Sequence, residues 1–290
     1  MTLEDPIDPT DPVDPADTSV QRLLALLELE RVDRDLFRAA AGGAWPTGRL
    51  FGGQVAAQAL RAAANTVDID HFVHSMHGYF LRPGSPKTPV LFHVDRIRDG
   101  QSFTTRRVVA VQEGEAIFTL STSFHKHEPG AEYQVPIPQG VPDPTSATEW
   151  YESPLARFGK SGPFDVREMK PTPRDERGAI ETTRRVWLRI RQPLGDDPAL
   201  HACILTFVSD MGAVYAAAIP VGGRLDNIMG ASLDHSVWFH RPVRLDDWVL
   251  YDLRPISNAG SRGLVQGTFH TRDGACVASV AQEALIRPLK

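Results

Sequence analysis

The sequence predicts an α+β protein made of two tandem units, each an antiparallel sheet wrapped around a central apolar helix. Three observations support this fold class. The same order of elements occurs twice at a constant spacing, each half contains one long apolar helix, and short Gly-containing turns separate the strands as in hairpins. A helix that is apolar all round needs protein on every side, which a curved sheet provides.

Residues 1–21 are predicted to form a disordered acidic tail, because Asp-Pro pairs recur every third residue and basic residues are absent. Removing the six acidic residues of this tail from a net charge of −5 leaves +1, so there is no electrostatic case for nucleic-acid binding. The segment lacks the basic and apolar regions of a signal peptide, and no long apolar run predicts a membrane span. We expect a cytoplasmic protein.

The N-terminal unit is predicted to occupy residues 22–127. A leucine-rich stretch at 20–30 has helical spacing, and residues 32–39 favour a first strand. A Gly-Gly turn then leads into an Ala-rich helix within residues 48–66. Four strands follow, separated by turns such as Asp99-Gly100 and Glu113-Gly114, at residues 74–82, 88–98, 103–112 and 116–125.

A Pro-rich connector is predicted for residues 128–183, with one short helix near 148–157. The C-terminal unit, residues 184–290, then repeats the first pattern. A strand at 185–191 leads into an apolar helix over 198–218, with Asp197 as its N-cap and Pro198 in its first turn. Four more strands are predicted, at residues 231–240, 248–257, 263–271 and 276–286.

The two halves share one register. Arg82-Pro83 matches Arg241-Pro242 at an offset of 159 residues. The same offset aligns Ser102 with Ser261, Phe80 with Phe239 and Val55 with Val214. A constant offset over so many elements indicates a duplicated unit. Two such sheets can pair edge to edge and cover their exposed edge strands.

Asp210 is the only formally charged residue between Ala199 and Gly223, and on a continuous helix it shares a face with Cys203, Phe207 and Val214. A buried carboxylate must find hydrogen-bond partners or become protonated. Two polar residues can converge on one end of this helix, namely Ser232, which opens the next strand, and Gln282, which lies on an otherwise apolar strand face.

The first half has no such polar set. The offset places Phe51, Val73 and Ser123 opposite Asp210, Ser232 and Gln282, which indicates one site per chain, with the first half as a wall of the site. From the residues alone, a catalytic site and a buried polar network without chemistry remain open alternatives. Cys203 and Cys276 lie in apolar runs and are expected to be buried free thiols.

Several segments resemble one known family. They are FGGQVAAQAL, HSMHGYFLRPG, RDGQSFTTRRV, LDHSVWFHRP and VASVAQEALIR, in the same order as in acyl-CoA thioesterase II, a double hotdog-fold hydrolase. The similarity runs from about Arg22 to the C-terminus. It implies a fold of two hotdog units and hydrolysis of fatty acyl-CoA of medium to long chain to a free fatty acid and coenzyme A.

The resemblance also assigns roles to residues. The family's Asp, its hydroxyl residue and its Gln fall on Asp210, Ser232 and Gln282, which would hold the attacking water, with Ser232 in place of the family's common Thr. No cofactor or metal is implied, and related proteins form homo-oligomers, so a dimer or tetramer is expected. Backbone N–H groups of the Gly52-Gly53-Gln54 turn are the first choice for oxyanion stabilisation.

Three alternatives stay open. An acyl-CoA hydratase or dehydratase of the same fold would need an Asp/His pair facing the substrate, and no histidine lies at helical spacing from Asp210. A non-catalytic acyl-CoA-binding protein would not need the polar trio. Within the hydrolase reading, Asp210 could act as a general base or as a nucleophile that forms an anhydride.

Overall fold

The computed structural model describes residues 18–43, 48–146, 148, 150–151, 162–170, 183–222 and 227–289. Most of the predicted acidic tail and most of the predicted connector helix at 148–157 lie outside these residues. The first helix, α1 (Ser19–Leu27), begins inside the range predicted as tail. It buries Val20, Leu23 and Leu27 against the core, and this apolar face extends the folded unit toward the N-terminus.

In its described residues, the N-terminal unit contains one central helix and six strands. They are β1 (Glu30–Asp33), β2 (Leu36–Ala39), α2 (Gly52–Ala64), β3 (His71–Phe80), β4 (Val90–Asp99), β5 (Phe103–Gln112) and β6 (Glu115–Lys126). The single strand predicted over 32–39 is wrong, because a turn at residues 34–35 divides it into an antiparallel hairpin. All four residues of β1 are exposed, so no apolar pattern marks this strand in the sequence.

The C-terminal unit repeats this arrangement. Its elements are β7 (Phe164–Glu168), β8 (Arg184–Ile190), α3 (Pro198–Ser209), α4 (Ala213–Ala218), a 3-10 turn (Ile219–Val221), β9 (Ile228–Ser232), β10 (Asp234–Phe239), β11 (Val249–Ala259), β12 (Arg262–Thr271) and β13 (Cys276–Pro288). β7 lies inside the range predicted as connector. Its five alternating residues were too short a pattern to stand out in a Pro-rich stretch.

The strands of both units form one continuous antiparallel sheet in the described part of the chain. Its order is β1-β2-β4-β5-β6-β3-β10-β13-β12-β11-β8-β7, with β9 also paired to β13. The second half of this order mirrors the first, and β3 and β10 join the units at the centre. Each sheet half wraps around its helix, as the double hotdog fold predicts.

The 159-residue offset holds in three dimensions. It carries β3, β4, β5 and β6 onto the β9–β10 segment, β11, β12 and β13, and it carries α2 onto α4 and the 3-10 turn. Helix α3 comes before the repeated part of the second unit and packs against α2. Nearly all of α2 and α3 is buried, so the two helices form the centre of the core.

The apolar helix predicted over 198–218 is interrupted in the structure. α3 begins as predicted, with Asp197 Oδ1 accepting from the backbone N–H groups of Ala199 and Leu200. It ends at Ser209, and Gly212 has a φ of +84°, which breaks the helix before α4. A Cβ at Gly212 would also collide with the guanidinium of Arg184. The face that Asp210 was predicted to share with Val214 therefore does not cross the break.

The segment Pro198–Val221 is apolar and long enough, by composition alone, to cross a membrane. In the folded protein 78% of its most apolar stretch is buried. The segment is therefore the core helix region of the fold.

Candidate active site

Asp210, Ser232 and Gln282 meet at the break between α3 and α4. The Ser232 hydroxyl donates to Asp210 Oδ1 across 3.0 Å, and Gln282 Nε2 donates to the same oxygen across 2.9 Å. Gln282 Nε2 also lies 2.8 Å from Ser232 Oγ. The structure thus brings together the three residues that the sequence singled out, from the end of a helix and two neighbouring strands.

The second oxygen of Asp210 is bound by the first unit. Gly53 N–H, in the first turn of α2, donates to Asp210 Oδ2 across 2.8 Å. The N-terminus of a helix favours a nearby negative charge, because the free N–H groups of the first turn and the positive end of the helix dipole point toward that charge. Asp210 therefore receives hydrogen bonds from both repeated units.

Burial raises the pKa of the Asp210 carboxyl above its ordinary value. The nearby His235 and the hydrogen bonds from Gln282, Ser232 and Gly53 act in the opposite direction, because they favour the charged form. Only 5% of the residue is exposed. A carboxylate that is poorly solvated yet held by several donors is suited to act as a general base.

The predicted turn of Gly52, Gly53 and Gln54 lies beside this acid. A Cβ at Gly52 would lie 2.7 Å from Asp210 Oδ2 and 2.9 Å from the Phe80 ring, so this position needs a glycine. Gly53 N–H is directed at Asp210. The Gln54 side chain turns away and donates to the Gly42 carbonyl. The oxyanion role of this turn stays a prediction.

His235 completes the network and was missed from the sequence. It is fully buried, with Nδ1 2.6 Å from Gln282 Oε1 and Nε2 2.7 Å from Ser209 Oγ. The signal was available, since His235 follows Ser232 by three residues inside the Asp-His-Ser motif. Helical spacing from Asp210 does not reveal it, because this histidine reaches the site from strand β10. Neither ring nitrogen is exposed, because Gln282 and Ser209 occupy them.

The segment that carries Asp210 is anchored on its other side. The Tyr251 hydroxyl donates to the Ser209 carbonyl across 2.8 Å. Arg184 forms a two-point ion pair with Glu168, at 2.6 and 2.8 Å, and its third nitrogen lies 3.5 Å from the Met211 carbonyl. These contacts hold the backbone immediately before and after the acid.

The equivalent position in the first unit is apolar, as the offset predicts. Phe51 takes the place of Asp210, and its ring packs edge-on against Phe207 with centroids 5.0 Å apart. Val73 takes the place of Ser232. The polar trio and its partner His235 thus belong to the second unit, and the first unit contributes the N–H group of Gly53.

A separate cleft of about 1360 Å³ lies at the opposite ends of α2 and α3. Its walls include Arg61, Val73, Asp197 and Phe239, and it contains none of the trio. Its arginines are already paired with acids, as in the 3.0 Å contact between Arg61 and Asp197. The chemical role of Asp210, Ser232 and Gln282 therefore rests on the hydrogen bonds among them, and this cleft has no part in it.

Among the described residues, one group of three places possible metal ligands within 4.8 Å of one another, namely Asp68, Asp70 and His71. Asp70 already binds His71 Nδ1 and the Lys126 ammonium, each at 2.8 Å. A lysine in contact with the carboxylate competes with a cation there. The group is also distant in sequence and in the fold from the trio.

Two family models match the chain. The model for acyl-CoA thioesterase matches residues 159–285, and the model for the acyl-CoA thioesterase N-terminal domain matches residues 41–125. Together they cover most of both repeated units. The first of these ranges includes β7.

Named relatives match over most of their length. Mouse acyl-coenzyme A thioesterase 8 is 38% identical over 281 residues, covering 91% of this chain and 88% of the relative. Acyl-CoA thioesterase 2 of Haemophilus influenzae is 32% identical, covering 92% of this chain and 98% of the relative. The crystal structure of an acyl-CoA thioesterase II from Mycobacterium marinum superposes with a TM-score of 0.76 at 38% identity, covering 93% of this chain and 98% of that one.

Proposed function

This chain belongs to the acyl-CoA thioesterase family, and from that premise we propose that it hydrolyses fatty acyl-CoA at Asp210 by direct attack of water. Asp210 acts as the general base, and Ser232 and Gln282 position the water beside it. The observation that carries the proposal is the convergence of a hydroxyl, an amide and a helix N-terminus on one buried carboxylate.

The reaction proceeds by addition and elimination. Asp210 accepts a proton from water as the water oxygen bonds to the thioester carbonyl carbon, giving a tetrahedral oxyanion. The carbon–sulfur bond then breaks, the coenzyme A sulfur leaves as a thiolate, and the proton returns from Asp210 to the products. The products are the free fatty acid and coenzyme A. Within the predicted Gly52-Gly53-Gln54 turn, the Gly53 N–H donates to Asp210 and the Gln54 N–H donates to the Phe51 carbonyl. We therefore assign oxyanion stabilisation to the N–H of Gly52, which lies beside the acid at a helix N-terminus.

Thiol release from acyl-CoA by the wild type and by Asp210→Asn tests this function. We expect steady thiol release by the wild type and a loss of about 10²- to 10⁴-fold in the variant, which is the usual contribution of a general base. A hydratase would instead consume the double bond of an enoyl-CoA without releasing thiol. A binding protein would do neither, and either result would overturn the proposal.

Isotope labelling separates a general base from a nucleophile. In a single turnover in ¹⁸O-water with excess enzyme, direct attack puts the label into the fatty acid at once. An anhydride at Asp210, opened by water at the aspartyl carbonyl, would instead deliver an unlabelled aspartate oxygen to the first product and leave ¹⁸O on the enzyme. Unlabelled first product would exclude the general-base role.

Medium to long acyl chains are the proposed substrates. The support is the resemblance to thioesterase II and the apolar surroundings of the trio, which include the Phe80 ring beside Gly52. A series of saturated acyl-CoA thioesters from four to eighteen carbons, compared by kcat/KM, would test this preference. A maximum at the shortest chains would contradict it.

We also propose assembly into a homo-oligomer, either a dimer or a tetramer. Its support is the exposure of large apolar side chains on the surface, such as Ile69 at 97% and Tyr133 at 88%. Light scattering after size-exclusion chromatography measures the mass directly. A monomeric mass at micromolar protein would contradict the proposal.

A cytoplasmic location is proposed from the state of the cysteines. Cys203 and Cys276 are both buried and free, as is usual in a reducing compartment. Fractionation of cells that produce the tagged full-length chain would test the location. Enrichment in a membrane or extracellular fraction would argue against it.

A further inference from the structure

His235 is a fully buried histidine whose two ring nitrogens both bind side chains beside the candidate active site. The proposed reaction gives it no proton to transfer. We propose that His235 is a positioning residue that holds the side-chain amide of Gln282 in the one orientation that donates to Asp210 and Ser232. This inference rests on the proposed function, since it concerns how the assigned groups are held.

The amide of Gln282 needs such a partner because its two ends have nearly the same shape. With Nε2 toward the acid it donates to Asp210 and Ser232. Rotated by half a turn, it would place Oε1 against the carboxylate and repel it. A proton on His235 Nδ1 favours the first orientation, since it donates to Oε1 across 2.6 Å and would clash with an NH₂ group.

Ser209 determines which ring nitrogen of His235 carries the proton. Burial lowers the pKa of His235, so the ring is neutral, with one donor nitrogen and one acceptor nitrogen. The Ser209 hydroxyl has one proton and lies 2.7 Å from Nε2 and 2.9 Å from the Thr206 carbonyl. Because Gln282 Oε1 at Nδ1 can only accept, we infer that the Ser209 proton is directed at the closer Nε2, which leaves the ring proton on Nδ1. Ser209 is the residue directly before Asp210, and Tyr251 fixes its carbonyl. These hydrogen bonds therefore run from Ser209, the residue before Asp210, through His235 and Gln282 to the carboxylate of Asp210.

Among the described residues, five charged or titratable groups surround the hydrogen bonds that link Ser209, His235 and Gln282, namely Asp210, Asp234, Tyr251, Arg184 and Glu168. Asp210 and Asp234 face the ring and favour its charged form, but burial outweighs them. Tyr251 and Arg184 face the segment that carries the acid. Burial raises the pKa of the Tyr251 phenol far above its ordinary value, so Tyr251 stays neutral, and Arg184 stays paired with Glu168. A change in the acidic limb of activity therefore reports on Asp210.

The test compares kcat, KM and their pH dependence in the full-length wild type, His235→Leu and His235→Asn. Leucine fills the space without a donor, whereas asparagine offers an N–H close to the position of Nδ1. For His235→Leu we expect kcat to fall about 10-fold or more, as part of the general-base contribution is lost. We expect KM to change by less than about 2-fold. The acidic limb should move to higher pH, because a released amide no longer stabilises the charged form of Asp210. His235→Asn should return the limb toward that of the wild type.

His201→Leu is the matched control. His201 is also buried and also binds through both nitrogens, at 3.0 Å to the Gly195 carbonyl and 3.1 Å to Leu245 N–H, but it lies at the far end of α3. It should lose stability while keeping the wild-type acidic limb. If His235→Leu lowers activity equally at every pH, with an unmoved limb, His235 only supports the fold and the inference is overturned.

Two further measurements apply if His235→Leu does not fold. Ring ¹⁵N shifts of the wild type report the tautomer, and a proton on Nε2 rather than Nδ1 would contradict the inference. Ser209→Ala removes the group that fixes the tautomer, so its acidic limb should also move to higher pH, and an unmoved limb would contradict it. Thiol release by the wild type is measured first, so that failure of the proposed function is seen separately from failure of the positioning role.

Discussion

The Nδ1 atom of His77 lies 3.1 Å from the Ser236 hydroxyl, and these two residues occupy the same position in the two repeated units. They pair directly across β3 and β10. On either side of them Tyr79 pairs with Asp234 and Ser75 pairs with Trp238, and the 159-residue offset converts one of these pairs into the other. A pseudo-two-fold axis therefore passes between His77 and Ser236. The join between the units is a self-pairing of equivalent strands, which closes both open edges.

Replacing Ser232 tests the hydroxyl in the trio. A hydrogen bond to a charged group contributes about 1.5–3 kcal/mol, so Ser232→Ala should lower kcat about 10- to 100-fold. Ser232→Thr keeps the hydroxyl and should stay near the wild type. The measurement is thiol release at saturating acyl-CoA. Ser279→Ala, on the outer side of β13 where Ser279 pairs with exposed His240, is the control and should be unaffected. Equal activity of Ser232→Ala and the wild type would remove the hydroxyl from the mechanism.

The pH dependence of kcat/KM should reflect the environment of Asp210. Burial raises its pKa above the ordinary 3.8, and the base works only when it is ionised. Activity should therefore be present above the pKa of Asp210 and should fall as the pH drops through it, at a higher pH than for an exposed aspartate. In Gln282→Leu one donor to the charged form is gone, so this fall should move to still higher pH. A shift in the opposite direction would contradict the assignment.

Gly52→Ala should damage the site through contact alone. The new methyl group would lie 2.7 Å from Asp210 Oδ2 and 2.9 Å from the Phe80 ring. Overpacking of this kind costs about 1–3 kcal/mol in the free energy of unfolding, and it should displace the carboxylate from its donors. Urea unfolding and thiol release would measure both effects. Gly130→Ala is the control, because its Cβ would meet no atom within 4 Å. A Gly52→Ala protein with wild-type turnover would show that the close approach is not needed.

Arg184→Met should destabilise the protein strongly. Arg184 and Glu168 have side chains only 5% and 3% exposed, and removing one partner leaves a buried charge unpaired. Such a loss costs about 3–5 kcal/mol in the free energy of unfolding, measured with urea. Arg107→Met is the matched control, since its pair with Asp95 is 58% and 49% exposed. Exposed pairs contribute about 0–1 kcal/mol. Equal urea midpoints for Arg184→Met and Arg107→Met would contradict the prediction that the buried pair contributes more to stability than the exposed pair.

Much of the fold followed from the sequence because it depends on local patterns and their repetition. Apart from β7, the strands from β3 onward and the start of α3 at Asp197 lie close to their predicted positions. The single strand predicted over 231–240 is divided at Leu233 into β9 and β10. The offset that aligned Phe80 with Phe239 also aligns the strands that contain them. β1 and β7 were missed for a physical reason. Both are short outer strands at the ends of the sheet, and β1 has no buried face to mark it.

The site was predictable in part. Asp210 and Gln282 stood out as polar residues in apolar surroundings, and Ser232 was assigned through the resemblance to thioesterase II. The structure places the three in mutual contact. The helix break at Gly212 was not predicted, because a glycine within an apolar run is compatible with a helix until tertiary contacts, here with Arg184, decide. The contribution of Gly53 could not be predicted, since nearly every residue type has a backbone N–H and the sequence does not indicate which of them donates to the acid.

The hydrogen bond from Gly53 to Asp210 has a consequence for how the duplicated chain can change. The half that lacks the acid still supplies a donor to it, so the two copies now depend on each other for a single reaction. Deleting the first unit would remove a helix N-terminus from the carboxylate and would also expose the edge of β10. A shortened chain with the second unit alone would therefore lack a donor to its base, whereas side-chain changes in the first unit away from Gly52 would leave this hydrogen bond in place.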